Sequence, residues 1–373
     1  MTERRWGVEN LPYGVFSRQG EAPRVGVRYE DSVLDLAAFL HDEVFATGSL
    51  NAFMARGRHA WHDTRALIQT KLTDDLSLAE PHLIPLDQVT LHLPVEVADY
   101  VDFYASVDHA TNMGRMFRPN AEALLPNWRH LPVGYHGRSG TVVVSGTPVT
   151  RPSGQLRAGE FGPSAKLDIE AELGFVVGVP SALGAPAGAF EEHVFGVTLL
   201  NDWSARDIQG WEAQPLGPFL GKSFATSISP WVTPLEALPR VPGREQDPAP
   251  LDYLRRQGDW GLDIELEVLL NGAVVSRPPY RSMYWTPDQM LAHLTVNGAS
   301  LRTGDLYGSG TISGPEPGQR GSFMELSWNG AEPIKLPDGS VRTFLEDGDT
   351  VTITATAGGL GLGEVSGTIR QVT

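Results

Sequence analysis

Residues 167–179, LDIEAELGFVVGV, alternate acidic and apolar side chains and then turn wholly apolar and β-branched. Period-two alternation is the signature of a β-strand. Asp168, Glu170 and Glu172 would then share one face, with Ile169, Ala171 and Leu173 turned to a core. Adjacent like charges on a face are unfavourable unless solvated or neutralised. Taken as structure alone, the pattern is that of a solvated outer face. Taken as chemistry, two of the three carboxylates hold a divalent cation.

Similar short, β-branched runs lie on both sides. Thr141–Val149, Glu192–Leu200, Leu262–Val275, Met324–Asn329 and Thr350–Ala355 all read as strands. Helical spacing appears at Tyr104–Met116, Trp203–Glu212 and Thr286–Leu294. The elements do not alternate as βαβ units, which excludes a doubly wound parallel sheet. The first 90 or so residues differ. Arg24–Tyr29 and Ser32–Leu36 read as short strands, and Asp35–Phe45 and Leu50–Leu72 carry helical spacing. Prolines 85 and 94 punctuate the chain beyond them. The expected division is 1–94 and 95–373. With 41 glycines and 28 prolines among 373 residues, the chain reads as mainly β (α+β) and rich in turns.

The charge excludes several classes of function. Lysine and arginine number 29 against 45 acidic residues, a formal net of −16. Nucleic acid and anionic lipid both need a basic face. Cysteine is absent, so disulfides, thiolate metal sites and cysteine nucleophiles are excluded, and a reducing compartment fits. No apolar run is long enough to span a bilayer. The opening MTERRWGVENLPYG carries no apolar stretch, so no signal peptide is read.

More acids sit in unusual company. Asp202 ends the apolar run 195–200 beside Trp203, and Asp102 lies in Tyr-Val-Asp-Phe-Tyr. A helix N-cap would also explain Asp202. Oxygen donors without Cys or His suit Mg²⁺ or Ca²⁺. His109 follows Asp102 by seven residues. On one helix the two would share a face roughly 10 Å apart. That suits a general base near a metal, as it suits a core histidine. Tyr104, Arg118, Tyr135, Arg206, Gln209 and Lys222 occupy neighbouring segments and suit a dicarboxylate ligand. Gly217–Ser223, GPFLGKS, is one residue short of a phosphate-binding loop and carries Pro218 inside it, so nucleotide binding is not read there. The Gly-rich tail 358–367 opens no helix and is not a dinucleotide fingerprint. No Gly-x-Ser-x-Gly elbow is present.

Five stretches together resemble the fumarylacetoacetate hydrolase family. They are DFYASVDHATNMGRMFRPNAEALLPNWRHLPVGYHGR from Asp102, LDIEAELGFVVG from Leu167, LLNDWSARDIQGWEAQPLGPFLGKSFATSISPW from Leu199, TVNGASLRTGDLYGSGTISGPEPG from Thr295 and GSFMELSWNG from Gly321. The resemblance implies a small N-terminal SH3-like barrel followed by a mixed-β roll, as a cytoplasmic homodimer. It implies metal on Asp102, Glu170, Glu172 and Asp202, dropping Asp168, with secondary contacts from Lys222 and Thr226. It makes His109 the base, paired with Glu325, and Arg206, Gln209 and Lys222 the oxyanion stabilisers. Tyr104, Arg118, Tyr135, Gln209 and Thr311 would contact substrate. The implied reaction is metal-dependent hydrolysis of the carbon–carbon bond of 4-fumarylacetoacetate to fumarate and acetoacetate, the last step of tyrosine and phenylalanine breakdown. The chain departs from the family at Ala213, where a tyrosine that contacts substrate is usual. Related diketo-acid hydrolases, decarboxylases and isomerases share the acidic ligands but generally lack the DFYASxxHATN segment. A non-catalytic, cation-stabilised β module would need neither His109 nor Glu325.

Overall fold

The computed structural model describes residues 5–372; residues 1–4, the start of the stretch expected to hold no signal peptide, and Thr373, the last of the expected catalytic region, lie outside them. Near the N-terminus, β1 (Tyr13–Ser17), β2 (Arg24–Tyr29) and β3 (Ser32–Asp35) form an antiparallel meander. After the Arg58–Asp74 helix, β4 (Leu83–Pro85) pairs with β3. A 3-10 turn at Leu86–Gln88 then leads into β5 (Thr90–His92), which returns to β1. The resulting order is β4-β3-β2-β1-β5, an arrangement consistent with the expected small N-terminal β domain.

This small sheet continues into the rest of the molecule. The edge of β1 also pairs with strand Trp231–Pro234, joining a 13-stranded mixed sheet. From there the order runs through Val194–Asp202, Ala171–Val177, Leu306–Gly308, Tyr100–Phe103 and Gly134–His136. A five-stranded sheet built on Ile264–Leu270, Thr350–Ala357 and Leu360–Arg370 packs beside it. Its Leu262–Val275 segment is a hairpin, because Asn271 and Gly272 both take positive φ at the turn. One apolar cluster unites Tyr13, Phe53 and Trp61 with Phe195, Ile228 and Val232. The Phe195 ring lies 5.2 Å from Trp61 and 5.4 Å from Tyr13.

Three local expectations are corrected. Stretch 167–179 is not one strand. Its ladder breaks after Asp168 and resumes at Ala171, because the Ile169 N–H turns to the Asp168 carboxylate and the Glu170 N–H to Asn201. Its acids do not form a solvated face, since every residue from Leu167 to Gly178 is buried. Met324–Asn329 is not a strand. Phe323–Leu326 is a short helix capped by Ser322 and closed by Trp328 and Asn329 at positive φ. The Gly-rich tail opens no helix and lies mostly in the eleven-residue strand Leu360–Arg370. Among the described residues no helix is long and apolar enough to cross a membrane.

Phe195→Ala removes the ring that joins the two ends of this cluster. It should cost about 3–5 kcal/mol of stability, read as a lower denaturant midpoint.

Candidate active site

Strand register assembles the acids. Asp102 lies opposite Gly308 on one side and Tyr135 on the other. Gly308 in turn pairs with Gly174, two residues from Glu172. A side chain at Gly308 would place its Cβ 2.6 Å from Asp102 Oδ1 and 2.7 Å from Glu172 Oε2, so only glycine lets both carboxylates approach. Asp102, Glu170 and Glu172 offer oxygens that all lie within 4.8 Å of one another. Asp202 stands next to them rather than among them. Its Oδ2 accepts from Tyr135 (2.7 Å) and Lys222 (3.0 Å), and its Oδ1 from Thr226 (2.9 Å). Asp202 thus ends a strand and is no helix N-cap. Lys222 also donates to Glu170 Oε2. A protonated amine has no lone pair, so Lys222 meets the site as a counter-charge.

Burial disfavours charge on these acids, and their surroundings divide them. Burial and the neighbouring acids push Glu172 and Asp102 well above the ordinary carboxylate range. Glu170 is equally buried, but Lys222 and Arg206 overcome that and hold it far below. Lys222 is kept protonated against its own burial by Asp202 and Glu170. The Gly310 N–H donates to both Asp102 (3.2 Å) and Glu172 (3.0 Å), yet Glu172 Oε1 is buried with no partner. An unpartnered carboxylate oxygen inside an all-oxygen donor set fits a hard divalent cation.

His109 is not on a helix with Asp102. Asp102 lies on a strand, while His109 lies in helix Val107–Phe117, whose N-cap Ser106 accepts from the His109 N–H. The imidazole Nδ1 meets Glu325 Oε2 at 2.6 Å, with both residues buried. Glu325 is further held by Asn112 on Oε1 and by Ser313 and Ser322 on Oε2, each at 2.9 Å. Burial would raise its pKa, but His109 and these donors hold it below the ordinary value. With Nδ1 committed to Glu325, Nε2 is the nitrogen left to exchange a proton.

Arg206 opens the short helix Arg206–Glu212. Its Nη1 donates to Glu170 (2.7 Å) and Gln209 (3.2 Å), while Nη2 is buried without a partner. Arg118 Nε and Thr311 Oγ1 are likewise buried and unpartnered. Tyr104 sets its ring edge against His109 at 5.2 Å and lines a cavity of about 220 Å³ with Met113, Phe117, Arg118 and Trp128. Ala213 lies just past the last turn of the Arg206–Glu212 helix. The near-miss phosphate loop is the turn that delivers Lys222, tied down by Glu212 through the Phe219 and Gly221 N–H groups. A larger cavity of about 460 Å³, beside Trp61 and Glu236, holds none of these residues.

The structure therefore draws together Asp102, Glu170, Glu172, Asp202, Lys222 and Thr226. It sets Arg206 and Gln209 beside them and pairs His109 with Glu325. Sequence reasoning missed Asn112, Ser313 and Ser322. Asn112 was visible as the residue three beyond His109, on the same helix face. Nothing local signalled the serines. Asp168, read as a possible metal ligand, is not one of the clustered acids; its oxygens accept from Arg206 and from the start of the Phe323–Leu326 helix.

Two family models cover nearly all of the chain. "Fumarylacetoacetate (FAA) hydrolase C-terminal" matches residues 99–370, and "Fumarylacetoacetase N-terminal" matches residues 9–94. Human fumarylacetoacetase is 47% identical over 97% of this chain and 95% of its own length. The Arabidopsis thaliana fumarylacetoacetase is 43% identical over 99% and 96%. Among solved structures, a fumarylacetoacetate hydrolase from the psychrophile Exiguobacterium antarcticum has a TM-score of 0.60 at 19% identity, covering 97% of this chain and all of its own. A maleylpyruvate hydrolase from Sphingobium has a TM-score of 0.55 at 18% identity, with 97% and 100% covered. These two likenesses speak to the fold alone. The family models, the full-length relatives and the site geometry agree: this chain belongs to the fumarylacetoacetate hydrolase family.

Proposed function

We propose that this enzyme hydrolyses 4-fumarylacetoacetate to fumarate and acetoacetate, the closing step of tyrosine and phenylalanine breakdown. The observation that carries the reading is the buried His109–Glu325 pair beside a buried acidic cluster, in a chain matched along its whole length by fumarylacetoacetases. Residues 1–94 are proposed as the SH3-like barrel and 95–373 as the catalytic roll.

Asp102, Glu170 and Glu172 would hold a divalent cation, Mg²⁺ or Ca²⁺, with Asp202 completing the acidic wall and Lys222 and Thr226 fixing that wall by their hydrogen bonds. Bound there, the ion supplies Lewis acidity to the 1,3-diketone oxygens. His109 Nε2 takes a proton from water, while Glu325 on Nδ1 orients the ring and stabilises the imidazolium. The water oxygen adds to the carbonyl joined to the fumaryl carbons. Arg206 Nη2, the Gln209 amide and Lys222 face the alkoxide that forms. Collapse breaks the carbon–carbon bond and releases fumarate. The electron pair leaves on the acetoacetate carbon, which takes up the proton carried by His109. Arg118 and Thr311 would use their unpartnered donors on the substrate carboxylates and carbonyls. Tyr104 and Tyr135 would wall the pocket.

We place the enzyme in the cytoplasm as a homodimer. Exposed apolar side chains such as Phe161, Leu216 and Phe219 would give a second copy a surface to cover. Sedimentation should return twice the mass of one chain.

Purified protein should consume the diketone absorbance of fumarylacetoacetate and release fumarate. His109→Ala should lower kcat by about 10²–10⁴-fold, and Arg206→Ala by about 10²–10³-fold. Turnover near the parent's in His109→Ala would remove it as the base. A parent inactive on this substrate would redirect the assay to shorter acylpyruvates.

Chelator treatment should abolish turnover and lower Tm, with Mg²⁺ or Ca²⁺ restoring both. Glu172→Ala should retain no metal in elemental analysis.

A further inference from the structure

We propose that Asp168 is a positioning residue that fixes the Arg206 guanidinium relative to the His109–Glu325 pair. The proposal rests on the roles given to Arg206 and Glu325 above.

Asp168 is fully buried and bonded on every side. Its Oδ2 accepts from Arg206 Nε at 2.8 Å and from the Met324 N–H at 3.1 Å. Its Oδ1 accepts from the N–H groups of Phe323 (2.7 Å) and Ile169 (2.8 Å). One carboxylate thus grips two separate structures, the guanidinium and the start of the Phe323–Leu326 helix.

Each grip has a consequence. With Nε on Asp168 and Nη1 on Glu170 and Gln209, two of the three guanidinium nitrogens are pinned. The plane is fixed, and Nη2 is left as the one nitrogen without a partner. At the helix, Asp168 takes the first two N–H groups and Ser322 takes the third, which belongs to Glu325. The helix closes only two i→i−4 bonds, from Leu326 to Ser322 and from Ser327 to Phe323, and these leave its first three N–H groups to the carboxylate and the hydroxyl that set where Glu325 stands. Asp168 hydrogen-bonds neither the His109 nor the Glu325 side chain, yet it sets the spacing between the alkoxide donor and the base. Misplacement by about 1 Å in such a constellation can cost 10²-fold in rate.

Asp168→Asn is nearly isosteric, but its amide must turn a donor toward either Arg206 or the helix N–H groups. We expect kcat to fall about 100-fold, with KM within about 3-fold and bound metal unchanged. In an Arg206→Lys background the same substitution should cost no more than about 3-fold further, because the link is already broken. A cap with a purely structural role would lower Tm and leave the kinetics of the folded enzyme alone. A folded Asp168→Asn enzyme with kcat within about 3-fold of the parent, or losses that multiply in the double variant, would overturn the proposal.

Arg206→Lys alone carries a second test that needs neither turnover nor a folded Asp168 variant. Amide hydrogen exchange in residues 322–326 should speed up, although Arg206 bonds to Asp168 and to none of that segment. Unchanged exchange there would overturn the link. A parent without activity would overturn the functional reading, and the exchange result would still decide this one.

Discussion

Glu170 sits between two cations, with Arg206 on one oxygen and Lys222 on the other. That shared carboxylate keeps charge inside the protein where burial alone would discharge it. Lys222 reaches on to Asp202, and Arg206 reaches on to Asp168. A buried charge is tolerated only when it is paired and its remaining valences are met. Here the pairing forms a chain in which Arg206, Glu170 and Lys222 each serve two ionic partners. Asp102 and Glu172 lie beside that chain with no salt bridge among the described residues, and burial and the neighbouring acids push both above the ordinary carboxylate range. A divalent ion is what the protein's own charges leave room for.

The backbone makes this arrangement possible by bringing the acids in on separate strands. Asp102, Glu172 and Asp202 sit on different strands of one sheet, and Glu170 lies in the gap where the ladder breaks. The break parts Asp168 from Glu170 and Glu172, which stay together. Glycine at 308 leaves room for the carboxylate oxygens beside it. The base is supplied from outside the sheet, by a helix on one side and a single capped turn on the other.

Much of this was legible in the chain. The acidic run at 168–172, the isolated Asp102 and Asp202 and the segment around His109 all stood out by their neighbours. The β character was plain from the short β-branched runs. What could not be seen was whatever depends on register between distant segments. Alternation at 167–173 looked like a wet face, because sequence does not report burial on both sides of a strand. Glu325 was identified only through family resemblance, since Met324–Asn329 has the composition of a strand. Its helical turn is imposed by acceptors more than 150 residues away in Asp168 and next door in Ser322. Ser313 and Asn112 gain meaning only once Glu325 stands between them.

The pairing of β1 with Trp231–Pro234 has a consequence during synthesis. A chain emerging from the ribosome builds its first meander early, and β5 soon covers Val15–Ser17, but the strand that covers the Tyr13–Gly14 end of the β1 edge arrives more than 200 residues later. Until then the growing chain carries an open sheet edge and the bare rings of Tyr13, Phe53 and Trp61. Open edges and exposed apolar surface are the features by which nascent chains aggregate. Truncations upstream of residue 231 would leave the same surface uncovered for good, and such fragments are natural clients for chaperones or proteases.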